Sequence, residues 1–324
     1  MAEPTSEVLT EQEAAVYDRQ IRVWGVDAQR RLSKARVLVV GIHGVIAETC
    51  KNLVLAGIGS LTLMGDTPVT LDAAASNFLI YVDEIQNQGK SVAQVCADAV
   101  GDYNPMVRVQ VQQGNILEKP VEFLDDYDVV ILGRSSLSLK KKVNALCRSR
   151  PQRVAFYAVD VRGCCGISFI DFQTCTYKSQ KKDDDKELEY SKKSCSLEDS
   201  LSVRWDSLPK RASKLFFATR IVEEFEQKED RQPGQLTSSD VPALIAFGTE
   251  LLQEQGMTMV PVIESLLKKI AEAGSFELSP VCAILGGVLG QEVLKLLSCK
   301  GEPIQNFFFF DASDGKGMIE EVTP

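Results

Sequence analysis

The sequence predicts an α/β fold: a doubly wound, Rossmann-like, mainly parallel sheet with helices on both faces. Three observations carry that prediction. From Val37 onward, short apolar runs alternate with longer helical ones, which is the order of repeated βα units. The runs "VLVV" and "DVVIL" are apolar at every position, as in strands covered on both faces. The first run ends on Gly41 and leads into a helix whose N-terminus faces that turn, an arrangement suited to receiving phosphate.

The elements follow in order. "RVLVVG" is a strand, "AETCKNLVLAG" a helix closed by Gly57, and "SLTLMG" a second strand. "GKSVAQVCADAVGDY" is a helix, "RVQVQQG" an alternating strand and "YDVVILG" a buried one. "RVAFYAVDVRGCCGISFID" gives two strands around a glycine-bounded turn, and there the βα rhythm stops. Residues 173–204 contain "KKDDDKELE" and few apolar positions, so they read as an exposed, mobile charged insertion between a first part (1–172) and a second (205–324). Three helices are expected near 211–228, 239–255 and 260–273, broken by "DRQPGQ" and "QGMTMVP". "SPVCAILGGVLGQEVLKLLS" reads as a buried helix in which Gly286-Gly287 marks either close backbone approach or plain packing. "NFFFFDASDGKG" returns to the sheet as an aromatic strand closed by a turn.

Composition narrows the function. A chain of 324 residues with 44% hydrophobic and 25% charged residues can bury a large core. Its net charge of -9 argues against a nucleic-acid or anionic-membrane surface. The acidic start lacks the pattern of a secretory signal, and no run is expected to reach membrane-span length. The nine cysteines should therefore be mostly reduced, with Cys164 and Cys165 adjacent. A single histidine, His43, makes a zinc centre or a Cys-His nucleophile a poor expectation, so no metal set is expected.

Nucleotide motifs are incomplete. From Gly41 the second and third glycines of a dinucleotide turn fall on His43 and Ile46, where side chains obstruct backbone approach and helix packing. Asp66 stands roughly where a ribose-binding acid would. "GKS" at 89–91 lacks the earlier P-loop glycine, replaced by Glu84, which leaves Lys90 as a surface lysine at a helix start.

"AAVYDRQIRVWG" places Arg19 and Arg22 before Trp24 on a helix ending at Gly25. With "CKNLVLAGIGSLTL", "YNPMV", "PVCAILGGVLGQEVLKLL" and "NFFFFDASDGKG", it makes nearly the whole chain resemble the activating (adenylating) enzymes of ubiquitin-like modifiers and their bacterial relatives ThiF and MoeB. Within that family the chain is most similar to the regulatory half of the SUMO-activating pair.

The resemblance implies a ThiF-like adenylation fold that has lost its own chemistry. The family's D-x-D aspartates fall on Gly65 and Thr67, its Asn-Arg-Gln on Ala75, Ser76 and Asn77 before Phe78, its helix lysine on Val92 and its magnesium aspartate on Ser135. Neither Cys175 nor Cys195 resembles the thioester cysteine. No cofactor is expected on this chain; ATP and magnesium belong to a catalytic homologue in a heterodimer that activates a SUMO-type modifier. The arginine of "Y-D/N-R-Q-I", here Arg19, reaches across the interface into the partner's ATP site in this family, and Arg22 is expected to be a supporting or surface charge. The resemblance also implies nuclear and some cytoplasmic placement. The alternatives are a non-catalytic scaffold and the regulatory half for a related modifier such as NEDD8.

Overall fold

The computed structural model describes residues 9–81, 89–180 and 187–324. Three helices, Glu11–Val16 (α1), Asp18–Trp24 (α2) and Val26–Leu32 (α3), precede the sheet. Thr10 caps α1 reciprocally with Glu13, and Gly25 joins α2 to α3 at φ 86°, a conformation that favours glycine.

The βα units then run Arg36–Val40 (β1), Gly44–Leu55 (α4), Ser60–Met64 (β2), Leu71–Ser76 (α5), Val92–Gly101 (α6), Arg108–Gln112 (β3), Val129–Leu132 (β4), Leu137–Arg148 (α7), Ala155–Arg162 (β5) and Cys165–Asp171 (β6). A hairpin of Thr174–Gln180 (β7) and Glu187–Lys193 (β8) and the helix Leu197–Ser202 (α8) follow. Next come Lys214–Lys228 (α9), Val241–Glu254 (α10), Pro261–Ala273 (α11), Ser279–Ser298 (α12), Phe307–Asp311 (β9) and Lys316–Glu320 (β10). The expected helices and strands thus lie close to their places in the sequence. The short helix α5 and the strand β10 lacked a signal strong enough to read.

The main sheet has the order β10-β9-β6-β5-β4-β1-β2-β3. Its β3 to β5 side is parallel, and β6, β9 and β10 close the other side antiparallel. Because β2 leaves β1 on one side and β4 on the other, the strand order reverses at β1, where open α/β sheets place their sites. Alternate residues divide the core. Val37, Val39, Val129 and Ile131 pack with α4, α6 and α12, whereas Leu38, Val130 and Leu132 pack with α7, α9, α10 and α11.

Segment 173–204 differs from its reading as an exposed insertion. Thr174, Cys175, Thr176 and Tyr177 alternate polar and apolar, so β7 turns Cys175 and Tyr177 inward, where they are 4% and 9% exposed. Tyr177 stacks on Tyr190 of β8, with ring centroids 5.5 Å apart. Charge count hid this two-residue period. The charged run at 181–186 lies outside the described residues.

Helix α12, 20 residues long, is apolar enough by length and composition to cross a membrane, contrary to the expectation that no run reaches that length. It packs instead against α4 beneath the sheet. A Cβ on Gly286 would lie 2.5 Å from the Glu48 Cβ and 3.0 Å from the Thr49 backbone nitrogen, whereas at Gly287 nothing lies within 4 Å. Close backbone approach therefore explains one glycine of the pair.

Candidate functional site

Tyr17 and Gln20 lie three apart on α2 and its N-cap, so they share the face turned to the protein. The Tyr17 hydroxyl accepts from Asn104 Nδ2 at 2.7 Å, and the same amide donates to the Val54 carbonyl at 2.8 Å. The Gln20 and Gln29 amides both donate to the Ala56 carbonyl, at 3.1 and 3.2 Å. Gly57, at φ 76°, leaves room for the ring: a Cβ there would sit 2.4 Å from Tyr17 Cζ. Asn104 of "YNPMV" and Gly57 of "LVLAG" thus grip "YDRQ" at the C-terminus of α4, which gives three of the recognised stretches one physical purpose. Asn52 joins a fourth by donating to the Gly286 carbonyl at 3.2 Å.

With Tyr17 and Gln20 turned inward, Asp18, Arg19, Arg22 and Val23 face outward. Arg22 pairs with Asp18 at 3.0 Å on the surface. Arg19 has no hydrogen-bond or ion-pair partner among the described residues. Val16 and Val23, 59% and 77% exposed, flank it. The result is an always-charged fork on a firmly held helix with an apolar surround.

The glycine turn at the β1/β4 switch point is closely packed. A Cβ on Gly133, at the end of β4, would lie 2.0 Å from the Gly41 carbonyl oxygen and 3.0 Å from Ile46 Cγ1. Ile46 is fully buried and fills the space beneath the turn. The N-terminus of α4, where a phosphate would bind, already holds an anion from the chain itself: the Gly44 backbone N–H donates to Glu277 Oε2 at 2.6 Å. The other Glu277 oxygen accepts from Arg134 Nη2 at 3.2 Å. Arg134, directly after Gly133, also donates to Asp160 Oδ1 and the Ser275 carbonyl, each at 2.8 Å, and to the Val161 carbonyl. Asp160 continues to Arg162 at 2.9 Å, and Arg162 forks onto both oxygens of Glu226 at 2.6 and 2.9 Å.

Five charges therefore alternate from the α4 N-terminus to α9, all buried or nearly so. Burial pushes the Glu277 carboxyl up to about 7, with Arg134 opposing the shift. Burial, then the Arg134 cation, pushes His43 down to about 4. Burial of Asp160 would raise its carboxyl, yet Arg134 and Arg162 hold it below the usual range. Removing one partner from such a chain leaves an uncompensated buried charge and typically costs about 3–5 kcal/mol.

The positions matched to nucleotide chemistry carry other tasks. Asp66 accepts from the Gly114 N–H at 2.7 Å, fastening the end of β2 to β3, and Lys90 pairs with Asp98 at 3.2 Å. Ser135 donates to the Gly133 carbonyl at 2.8 Å, Val92 is core, and Asn77 is buried with its amide on Cys96 Sγ at 3.3 Å. The Ser76 carbonyl covers the turn: a Cβ on Gly44 would lie 2.5 Å from it. Thr67 is exposed. Glu84 lies outside the described residues. The Glu277 carboxylate, the Ile46 side chain and the Ser76 carbonyl thus stand around the α4 N-terminus. Arg134 and Glu277 were missed in the sequence, although Asp160 and Arg162, two apart in the apolar run "AFYAVDVR", are the signature of a charged pair on one strand face.

Comparisons with known proteins show the family to which the chain belongs. Arabidopsis thaliana SUMO-activating enzyme subunit 1B-1 is 48% identical over 315 residues, 97% of this chain and 98% of the relative. Danio rerio SUMO-activating enzyme subunit 1 is 36% identical, covering 97% and 96%. The crystal structure of PaaA shares the fold at 15% identity and a TM-score of 0.57, covering 100% of this chain and 78% of that one. The ThiF family matches residues 17–323. Alongside those SUMO-activating enzyme subunits, this chain belongs to the ThiF family.

Proposed function

We propose that the chain is the regulatory subunit of a heterodimeric SUMO-activating enzyme. It pairs with a catalytic homologue, which binds ATP and magnesium, adenylates the C-terminus of a SUMO-type modifier and then carries it as a thioester. Its contribution in trans is Arg19, whose guanidinium stabilises charge building on the partner's phosphates in the manner of an arginine finger. Arg22, tied to Asp18, supports the same surface. The chain works in the nucleus and to a lesser extent in the cytoplasm.

One observation carries the reading: Arg19 stands exposed, without a partner among the described residues, on a helix locked by Tyr17 and Gln20, while the chain's own glycine turn is filled by Glu277. The names of the full-length relatives support the pathway. Co-purification from cell extract tests it. The expected companion retains a D-x-D, an Asn-Arg-Gln and a thioester cysteine, and only the pair supports ATP:pyrophosphate exchange. Exchange by this chain alone would overturn the reading, and a NEDD8-specific companion would redirect it.

A further inference from the structure

We propose that Cys164, Cys165 and Asp311 form a binding site for one thiophilic divalent cation of the zinc class. The site lies where the turn between β5 and β6 meets the turn after β9. One ligand atom from each of the three residues falls within 4.8 Å of the others.

The sheet itself sets two of them together, because Cys165 and Asp311 are directly opposed in the antiparallel register of β6 and β9. Cys164 sits in the turn just before β6, so its side chain escapes strand alternation. The Cys164 and Cys165 sulfurs are 3.9 Å apart. Two thiolates on a tetrahedral zinc, each at about 2.3 Å, stand about 3.8 Å apart, so the free protein already holds the spacing. All nine cysteines are thiols, and this pair is not disulfide-bonded.

A supporting shell is also present. Asp311 accepts from the Ser313 N–H at 2.8 Å, and the Ala312 N–H donates to the Cys164 carbonyl at 2.9 Å, tying the two turns together. The Ser313 hydroxyl lies 3.6 Å from Cys164 Sγ and can supply a fourth oxygen, or solvent can do so. Lys269 donates to that hydroxyl at 2.8 Å. The charges balance: a dication and the Lys269 ammonium offset two thiolates and one carboxylate. Binding releases the two thiol protons to solvent and changes no oxidation state. Cys164 is half-buried and gives the ion a path in. No histidine belongs to this cluster, so the site is a sulfur and oxygen set.

The test is titration of the reduced, full chain with cadmium and with cobalt, reading the thiolate-to-metal charge-transfer band and the thermal midpoint. One equivalent should bind and raise the midpoint. Cys164→Ser should abolish the band, Asp311→Asn should weaken affinity at least about tenfold, and Cys299→Ser, at a half-buried thiol elsewhere, should leave both readouts unchanged. Because Cys164 lies outside the strands, its variant keeps the test open if Cys165→Ser does not fold. No band in the native chain, or an equal band in Cys164→Ser, would overturn the site.

Discussion

Glu277 Oε2 accepts the Gly44 backbone N–H at 2.6 Å, so the protein places its own carboxylate at the helix N-terminus that relatives of this fold turn toward phosphate. The contact joins a turn near the start of the sheet to a residue 233 positions later. It couples the helical second part of the chain to the glycine turn of the first.

The contact has a pH signature. Glu277 titrates at about 7 in the folded chain against an ordinary 4.5, so the folded state holds its proton more tightly, and stability is lost as pH rises from 4.5 through 7. His43 titrates at about 4 against 6.5, so its contribution runs the other way and is lost as pH falls through that window. In the native chain the two slopes oppose each other. Glu277→Gln removes one, and stability should then rise between pH 4.5 and 6.5 by up to about 3 kcal/mol more than in the native chain. Urea unfolding at the two pH values reads the difference; parallel slopes would contradict it.

The anchor of α2 should be costly to disturb. Tyr17→Phe loses one buried hydrogen bond and should cost about 1 kcal/mol, since Asn104 keeps its bond to Val54. Tyr17→Ala empties the space over Gly57 and should cost about 3–5 kcal/mol. Denaturant midpoints of the two variants give the comparison, and equal losses would mean that the ring does not anchor the helix.

The two glycines of α12 should respond with opposite signs. Gly287→Ala adds a methyl into open space and gains up to about 1 kcal/mol of helix propensity. Gly286→Ala drives its methyl into Glu48 and the α4 backbone and should destabilise the chain. Thermal unfolding of the pair checks the sign, and a shared sign would contradict the packing described for α4 and α12.

Apolar period made the sheet readable: Val37–Val40 and Val129–Leu132 contrast so sharply with their flanks that strand and order followed at once. The hairpin of Thr174–Gln180 and Glu187–Lys193 did not, because among the described residues Cys175 and Tyr177 are the buried apolar pair of its first strand, and a charged stretch follows in the sequence. Arg19 was singled out only through resemblance, since an exposed arginine on a helix carries no periodic signal of its own. Glu277 was illegible for a different reason. Its meaning depends on Gly44 and Arg134, both far away in sequence, and "SFELSP" alone reads as a loop.

Arg19 acting in the partner's site is what separates a working subunit from a scaffold. In the reconstituted heterodimer, Arg19→Ala should leave the thermal midpoint of this chain and the formation of the pair unchanged, because Arg19 has no partner among the described residues. The same variant should slow ATP:pyrophosphate exchange about a thousandfold or more. Exchange at the native rate by an intact Arg19→Ala heterodimer would contradict the claim and leave a scaffold in its place.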